Sequence, residues 1–212
     1  MSSPLKLDAK IVLLGYTFSG KTCIVKRLID NAFDDTIPTV GGAFSLKRST
    51  FNNIDGNQKN ITVTLMLWDT AGTERYQSVN RSYYRRANAA VVCYDLTNEE
   101  SWDKVRFWVD ELNQNEPDID IYIVGNKLDL IKEGAKRAVS QEKVQEFAEK
   151  THASVYETSA KTGENIEPLF ETISLNLIKK YPNGLTSTNS NSLTLKSKSD
   201  KGSGTGKKKC CE

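Results

Sequence analysis

The sequence predicts an α/β fold, with a mostly parallel six-stranded sheet, one antiparallel strand and helices on both faces. Short apolar runs alternate with longer amphipathic segments, which is the pattern of strands joined by crossover helices. One connection, between residues 53 and 61, is too short for a crossover, so the strands beside it are expected to be antiparallel. The body of about 180 residues suffices for one domain with its own core.

Each element has its own signal. The six apolar runs that read as strands lie at residues 10–14, 44–53, 61–69, 89–96, 119–125 and 155–158. A helix is expected over residues 22–32, directly after the first strand. Two further helices carry apolar stripes spaced by three and four residues: Trp102, Val105, Val109 and Leu112 in one, and Ile166, Leu169, Phe170, Ile173 and Leu177 in the other. The body is expected to end near residues 181–184, which contain Pro and Gly.

The net charge of +2 combines a near-neutral body with a basic tail. Residues 181–212 carry six lysines against Asp200 and Glu212, a net +4, which leaves −2 on residues 1–180. The Ser, Thr, Asn, Gly and Lys content of the tail predicts disorder. A body without a clustered basic face argues against nucleic-acid binding, and no apolar run approaches the ~20 residues that span a bilayer. The sequence therefore predicts a domain over 1–180 and a disordered tail over 181–212.

A glycine-rich loop follows the first strand and opens the first helix. Residues 15–22 read Gly-Tyr-Thr-Phe-Ser-Gly-Lys-Thr and match the pattern GxxxxGK[ST]. Glycines let backbone N–H groups surround phosphate oxygens, and the helix N-terminus adds partial positive charge. Lys21 can reach the β- and γ-phosphates, and the Thr22 hydroxyl can ligate Mg²⁺. The alternative is a strand-to-helix turn with an incidental lysine, which this context disfavours.

A second polar segment follows the strand at 119–125. Asn126, Lys127 and Asp129 lie just past its carboxyl end, where open α/β sheets bind their ligands. The Asp129 carboxylate can accept hydrogen bonds from guanine N1–H and the 2-amino group, and adenine offers neither donor. At ~1.5–3 kcal/mol for each charge-assisted bond, a discrimination of ~10²–10⁴ is reasonable. A polar turn is the alternative, and the phosphate loop upstream makes it the weaker one.

A third segment ends the strand at 61–69. Residues 68–72 read Trp-Asp-Thr-Ala-Gly, in which Asp69 can hold Mg²⁺ through water and Gly72 lets a backbone N–H approach a γ-phosphate. The alternative is a strand exit with a solvated aspartate.

Taken in this order, these motifs resemble those of the Ras-superfamily small GTPases over about residues 8–180, which implies the P-loop small GTPase fold, GTP and GDP as ligands, and Mg²⁺ as cofactor. By this resemblance Thr39 is the switch I threonine that ligates Mg²⁺ and senses the γ-phosphate, and Phe33 covers the base. The implied nucleotide contacts are Gly15, Ser19, Gly20, Lys21, Thr22, Cys23, Phe33, Thr39, Gly72, Asn126, Lys127, Asp129, Ser159, Ala160 and Lys161. The implied metal ligands are Thr22, Thr39 and, through water, Asp69, and the implied catalytic positions are Lys21, Thr39, Gly72 and Thr73.

Within the superfamily the chain is similar to Rab proteins. The stretches that carry this similarity lie at residues 40–44, 65–68, 75–78, 83–85 and 92–97. In Rabs an exposed aromatic triad presents the active state to effectors, and here the resemblance assigns it to Phe44, Trp68 and Tyr83. The alternative is that these aromatic side chains fill the core, as most do; for Trp68 the two interpretations are equally supported.

Departures from the family pattern bear on turnover. Thr73 stands where the family has the glutamine that orients the attacking water. Because threonine is too short for this, slow intrinsic hydrolysis and a long-lived GTP state are expected. Phe18 is unusual in the phosphate loop, the spacing from Phe33 to Thr39 is about one residue short, and Arg86 stands where glycine is usual.

Two functions follow from the resemblance. The first is a GTP-hydrolysing switch of vesicle and membrane trafficking, served by an exchange factor, a GTPase-activating protein, effectors, a Rab escort protein and a GDP dissociation inhibitor. The second is a membrane-tethered binding module that stays GTP-bound and barely hydrolyses it. A P-loop nucleotide kinase is disfavoured by the segment 126–129 and by the lack of an evident Arg-rich lid.

The end of the tail resembles a Rab double-prenylation signal. Three lysines precede Cys210 and Cys211, and one residue follows them, so the pattern is not C-a-a-X. Two prenyl chains give stable anchoring where one is marginal, and lysines add attraction to anionic lipid. The alternatives are a nuclear signal or a solubilising tail. A lipid-anchored protein on the cytoplasmic side of intracellular membranes, cycling with the cytosol, is expected.

Overall fold

The computed structural model describes residues 5–34, 37–52, 60–72 and 82–185. The strands are β1 (Leu5–Gly15), β2 (Gly42–Phe51), β3 (Ile61–Thr70), β4 (Ala89–Asp95), β5 (Asp120–Asn126) and β6 (Ser154–Glu157). The helices that have bounds in these segments are α1 (Lys21–Asp30), α2 (Glu99–Asn115), α3 (Leu128–Lys132), α4 (Gln141–Thr151) and α5 (Ile166–Lys180).

The strands form one sheet in the order β2-β3-β1-β4-β5-β6. β2 pairs with β3 antiparallel, with Phe44 opposite Trp68, and the pairs from β3 through β6 are all parallel. The predicted fold class is confirmed, including the single antiparallel strand. β2 is antiparallel because its link to β3 leaves no room for a crossover helix.

The helices cover both faces of the sheet. Alternate residues of β1 point to opposite sides, so Ile11 and Leu13 join a core with α1 and α5, and Val12 and Leu14 join a core with α2 and α4. Every residue of the two predicted apolar stripes is buried. β4 is buried along its whole length because helices pack on both sides of it.

Two helices begin at side-chain caps. The Asn98 side chain accepts a hydrogen bond from the Ser101 N–H at the start of α2, and the Ser140 side chain accepts one from the Lys143 N–H at the start of α4. α1 differs, since its N-cap is Gly20 and no side chain of the described segments caps it. The first N–H groups of α1 are therefore not used by a capping side chain.

The structure places the start of the first strand earlier than predicted. β1 begins at Leu5 rather than at residue 10, because its first half alternates buried Leu7 and Ala9 with exposed Lys6 and Asp8 and so lacks an apolar run. After α5, Tyr181 and Leu185 pack against the core formed by α1 and α5. Within the described segments, no helix has both the length and the apolar character that a membrane span requires.

Parallel pairing brings the carboxyl ends of five strands to one edge of the sheet. Gly15, Thr70, Asp95, Asn126 and Glu157 end these strands. The loops that follow β1, β3, β5 and β6 contain the residues predicted to bind phosphate, Mg²⁺ and base, so the sheet brings together segments more than 140 residues apart in the chain.

Candidate functional site

The loop between β1 and α1 is shaped by two glycines. Gly15 has φ 134° and Gly20 has φ 93°, a region that side chains other than glycine rarely adopt. A Cβ atom at Gly15 would lie 2.0 Å from the Cys93 backbone oxygen, and one at Gly20 would lie 2.2 Å from the Asn126 Nδ2 atom. The Ser19 hydroxyl donates to the Tyr16 backbone oxygen at 2.9 Å. The loop therefore turns tightly and directs the N-terminus of α1 toward the carboxyl edge of the sheet.

Lys21 is the buried cation of this loop. Its Nζ atom donates to the backbone oxygens of Gly15 at 3.0 Å and Tyr16 at 2.9 Å. Burial lowers the pKa of the Lys21 ammonium, and the nearby Cys93 and Asp69 side chains oppose that shift. An anion at the loop would stabilise the charged ammonium, as a phosphate site requires.

Three side-chain oxygens meet beside the loop. The Thr22 hydroxyl donates to Asp69 Oδ2 at 2.6 Å and lies 2.8 Å from the Thr39 hydroxyl. Because the single Thr22 proton goes to Asp69, Thr39 donates in the second bond. Asp69 Oδ1 is buried without a hydrogen-bond partner among the described residues, and burial raises the pKa of this carboxyl while Thr22 and Lys21 oppose the rise.

This set fits a magnesium ion. Mg²⁺ prefers hydroxyl, carboxylate and water oxygens, and all the donors here are oxygen atoms. An unpaired buried carboxylate oxygen is costly, and a cation near it would offset that cost. Thr22, Thr39 and Asp69 are the residues that would hold the ion.

Asn126, at the end of β5, links the phosphate loop to the loop after β6. Its Nδ2 atom donates to the Ser19 backbone oxygen at 3.0 Å, and its Oδ1 atom accepts from the Ala160 N–H at 3.1 Å and from the Thr158 hydroxyl at 3.3 Å. The amide thus connects the phosphate loop with the loop after β6. These hydrogen bonds fix the positions of the two loops relative to each other.

Asp129 is the buried carboxylate at the other end of the site. Its Oδ1 atom accepts from the Ser159 hydroxyl at 2.6 Å, and its Oδ2 atom lies 3.8 Å from Lys161 Nζ. Lys161 also donates to Glu133 Oε1 at 3.1 Å, and that hydrogen bond raises the pKa of the lysine. Asp129 is 8% exposed, so its carboxylate has little contact with bulk water, and its remaining lone pairs are available to hydrogen-bond donors of a ligand.

Two supporting side chains were missed in the sequence. Arg27 of α1 donates to the backbone oxygens of Ala160 at 2.9 Å and Lys161 at 2.6 Å, which fixes the loop after β6. Asp95 accepts from Lys127, with Nζ 2.7 Å from Oδ2. Arg27 carries no sequence signal because its partners lie more than 130 residues away, whereas Asp95 could have been found from its place at the carboxyl end of β4.

Several of these residues line one cavity of about 480 Å³, a volume within the usual range for a small-molecule site. Its lining residues are Thr17, Phe18, Gly20, Lys21, Thr22, Cys23, Phe33, Asp34, Ile37, Pro38, Thr39, Thr70, Gly72, Asn126, Lys127, Asp129, Leu130, Ala160 and Lys161. Of the predicted nucleotide contacts, Gly15, Ser19 and Ser159 are not among the lining residues, and Ser159 is hydrogen-bonded to Asp129; the others line the cavity.

Gly72, which follows β3, packs closely against the backbone of the phosphate loop. A Cβ atom at Gly72 would lie 2.5 Å from the backbone N and Cα of Thr17, so only glycine fits between β3 and the phosphate loop. Phe33, predicted to cover the base, is 45% exposed at the rim. Thr73 and the residues that follow it up to 81 lie outside the described residues, as do Cys210 and Cys211.

The residues of the predicted aromatic triad are not among those that line the cavity. The ring centroids of Phe44 and Trp68 are 5.2 Å apart in an edge-on arrangement, and those of Trp68 and Tyr83 are 6.1 Å apart. Phe44 is 51% exposed, whereas Trp68 and Tyr83 are half-buried and pack on the core beneath. The two interpretations of Trp68 are therefore compatible, since one face of the ring packs inward.

Comparison with known proteins gives consistent matches. A family model described as Ras family matches residues 10–179. The chain is 56% identical over 185 residues to the Ras-related protein Rab-24 of Dictyostelium discoideum, covering 87% of this chain and 88% of that protein. It is 39% identical over 192 residues to the GTP-binding protein YPT52 of Saccharomyces cerevisiae (81% and 82% covered) and 39% identical over 169 residues to the Ras-related protein Rab-22A of Homo sapiens (79% and 82%).

The sheet order and the cavity at its carboxyl edge define a P-loop protein for nucleoside triphosphates. The matches narrow this class. The chain belongs to the Ras family of small GTPases, within its Rab branch. The family resemblance predicted from the motifs is confirmed.

Proposed function

We propose that the protein is a Rab-type switch that binds GTP and GDP with Mg²⁺, hydrolyses GTP slowly, and regulates vesicle and membrane trafficking through effectors. One observation carries this proposal: a single cavity is lined by the phosphate loop, by Thr22 and Thr39, and by the buried Asp129, and Asp69 is hydrogen-bonded to Thr22 at its edge. Relatives named as GTP-binding proteins add support.

In the proposed mechanism, the uncapped N–H groups of α1 and the Lys21 ammonium bind the phosphates. The Asp129 carboxylate binds guanine, while Asn126 and Arg27 hold the loops around it. Thr22, Thr39 and Asp69 would hold Mg²⁺, which would neutralise charge on the phosphate oxygens. Loss of the γ-phosphate removes what Thr39 senses, so residues 34–44 and the segment after Gly72 relax.

Slow turnover rests on position 73. The residue after Gly72 must orient the attacking water, and the threonine hydroxyl reaches less far than a glutamine amide. Assisted turnover stays possible, because a GTPase-activating protein can supply an arginine and a glutamine of its own. The other partners expected from the family are an exchange factor, effectors at Phe44, Trp68 and Tyr83, a Rab escort protein and a GDP dissociation inhibitor.

Membrane attachment is part of the proposal. Prenylation of Cys210 and Cys211 would anchor the protein to the cytoplasmic face of intracellular membranes, with the tail lysines adding attraction to anionic lipid. Mass measurement of the C-terminal peptide from native membranes tests this step. An unmodified cysteine pair in the membrane-bound protein would contradict it.

Base selection is tested with Asp129→Asn. The variant keeps the Ser159 hydrogen bond but loses a charge-assisted bond to guanine, so its affinity for GDP should fall by roughly 10–10²-fold. Glu133→Gln, which removes a carboxylate that also contacts Lys161 but does not line the cavity, serves as control. Equal affinities of wild type and Asp129→Asn for GDP, or equal affinities of wild type for GDP and ADP, would overturn the proposal.

Hydrolysis is tested with Thr73→Gln in single-turnover assays of GTP-loaded protein. We expect a faster intrinsic rate, by about tenfold or more, because water positioning contributes directly to the rate. If the intrinsic hydrolysis rate of Thr73→Gln did not exceed that of the wild type, the threonine at position 73 would not explain slow turnover. The nucleotide content of the purified protein tests the alternative, a constitutively GTP-bound tether, which predicts mostly GTP even when a GTPase-activating protein is supplied.

A further inference from the structure

Phe18 has an unusual backbone for a bulky side chain. Its φ angle is 59°, in the left-handed region that favours glycine. Both neighbours in the loop are less exposed: Thr17 is half-buried and Ser19 is fully buried, whereas Phe18 is 68% exposed. A strained residue that persists in a structure calls for a compensating role, and such residues cluster at functional sites.

Packing within the protein does not supply that role. A phenylalanine that stabilises a fold buries its ring, and the Phe18 ring is among the most exposed large apolar side chains of the described segments. Glycine would adopt the same backbone without strain. The exposed face of the ring is therefore available to a molecule that enters the cavity.

The location of Phe18 indicates which molecule this is. The side chain lines the nucleotide cavity between Thr17, which packs against Gly72, and Gly20, which packs against Asn126. Phe33 lines the same cavity and is 45% exposed. Two exposed aromatic rings thus border the cavity that the phosphate loop and Asp129 line.

We propose that Phe18 is a second aromatic wall of the nucleotide site, which covers the bound guanine nucleotide together with Phe33 and slows its release. Aromatic rings make favourable contacts with the faces of bases and sugars, and these contacts exclude water from the neighbouring polar bonds. The inference rests on the proposed binding of guanine nucleotide. It adds a residue that determines how long the nucleotide stays bound.

The test measures release of a fluorescent GDP analogue from the full-length chain in excess Mg²⁺ and unlabelled GDP. Phe18→Ala and Phe18→Gly should both release it about tenfold faster, because both lack the ring. Phe18→Tyr keeps the ring and should release at the wild-type rate. Phe107→Ala removes another exposed phenylalanine, on α2 and outside the cavity, and should change nothing.

Thermal unfolding at saturating GDP separates the ring from the backbone. Phe18→Gly should unfold at a higher temperature than Phe18→Ala, because only glycine relieves the strain at φ 59°. Release at the wild-type rate from both variants would overturn the inference, as would faster release from only one of them. A wild-type chain that retained no guanine nucleotide would instead overturn the proposed function, and the inference with it.

Discussion

The Lys10 ammonium lies over the Trp68 ring, with Nζ 5.2 Å from the ring centroid. The same atom donates a hydrogen bond of 2.9 Å to the Arg85 backbone oxygen. Burial lowers the pKa of Lys10, and the Glu116 carboxylate opposes that shift. One cation on β1 thus joins the central aromatic residue of the predicted triad to the turn that follows Tyr83.

The first prediction concerns this link. Lys10→Met keeps the aliphatic stem but loses the cation–π contact and the hydrogen bond, so the free energy of unfolding should fall by about 1 kcal/mol. Denaturant unfolding measures the change. Lys6→Met is the matched control, because Lys6 lies on the same strand and is exposed. Equal losses in the two variants would show that the Trp68 contact contributes nothing.

The second prediction concerns Arg86, which has φ 58°. The family has glycine here, and only glycine takes this backbone without strain. The Arg86 N–H donates to Glu116 Oε1 at 3.1 Å, and a glycine N–H can do the same. Arg86→Gly should therefore raise the free energy of unfolding by about 0.5–1 kcal/mol, or the melting temperature by about 1–4 °C.

Arg85→Gly is the control for this prediction. Arg85 is exposed in the same turn without a positive φ angle, so glycine there adds only chain entropy to the unfolded state and should destabilise the protein. Thermal unfolding of both variants at saturating GDP decides the matter. If both destabilised the protein, the backbone at Arg86 would not be strained.

Most of the fold could be predicted because its signals are local. The stripe of Trp102, Val105, Val109 and Leu112 predicts a buried helix face, and the short link before residue 61 predicts the antiparallel pair. The first half of β1 was missed because a half-buried strand shows alternation rather than an apolar run. The cap residues of α2 and α4 are equally local, since each side chain bonds a backbone N–H three residues ahead.

The site could be predicted only where spacing within one segment determines it. The loop at 15–22 has its shape from its own glycines, so the sequence pattern suffices. The bonds from Arg27 to Ala160 and from Lys127 to Asp95 depend on how distant segments pack. The same is true of Asn126, whose amide serves the phosphate loop and the loop after β6 in addition to any ligand.

The third prediction concerns Mg²⁺. Thr22→Ala removes the hydroxyl that contacts both Thr39 and Asp69, and with it a proposed ligand of the ion. Mg²⁺ should slow nucleotide release from the variant only at a concentration roughly 10–10²-fold higher than for the wild type. This estimate takes ~1.5–3 kcal/mol for a bond to a charged group. Thr22→Ser restores the hydroxyl and should restore the Mg²⁺ dependence. A wild-type dependence in Thr22→Ala would exclude this threonine as a ligand.

The fourth prediction concerns the two cysteines of the body, neither of which forms a disulfide. Cys93 is fully buried and donates to the Ser19 backbone oxygen at 3.3 Å, and burial raises its pKa to about 12. Because the thiolate is the reactive form, Cys93 should resist alkylation until the protein unfolds. Cys23 is half-buried and lines the cavity, so a bound nucleotide should shield it.

Alkylation of GDP-loaded protein, followed by mass mapping of peptides, checks both statements. Removal of the nucleotide with a chelator should increase labelling of Cys23 severalfold and leave Cys93 unlabelled, because only Cys23 borders the emptied cavity. Peptide mapping keeps both signals apart from Cys210 and Cys211. Labelling of Cys93 at the rate of Cys23 would mean that β4 opens together with the nucleotide site, and nucleotide-independent labelling of Cys23 would mean that the nucleotide binds elsewhere.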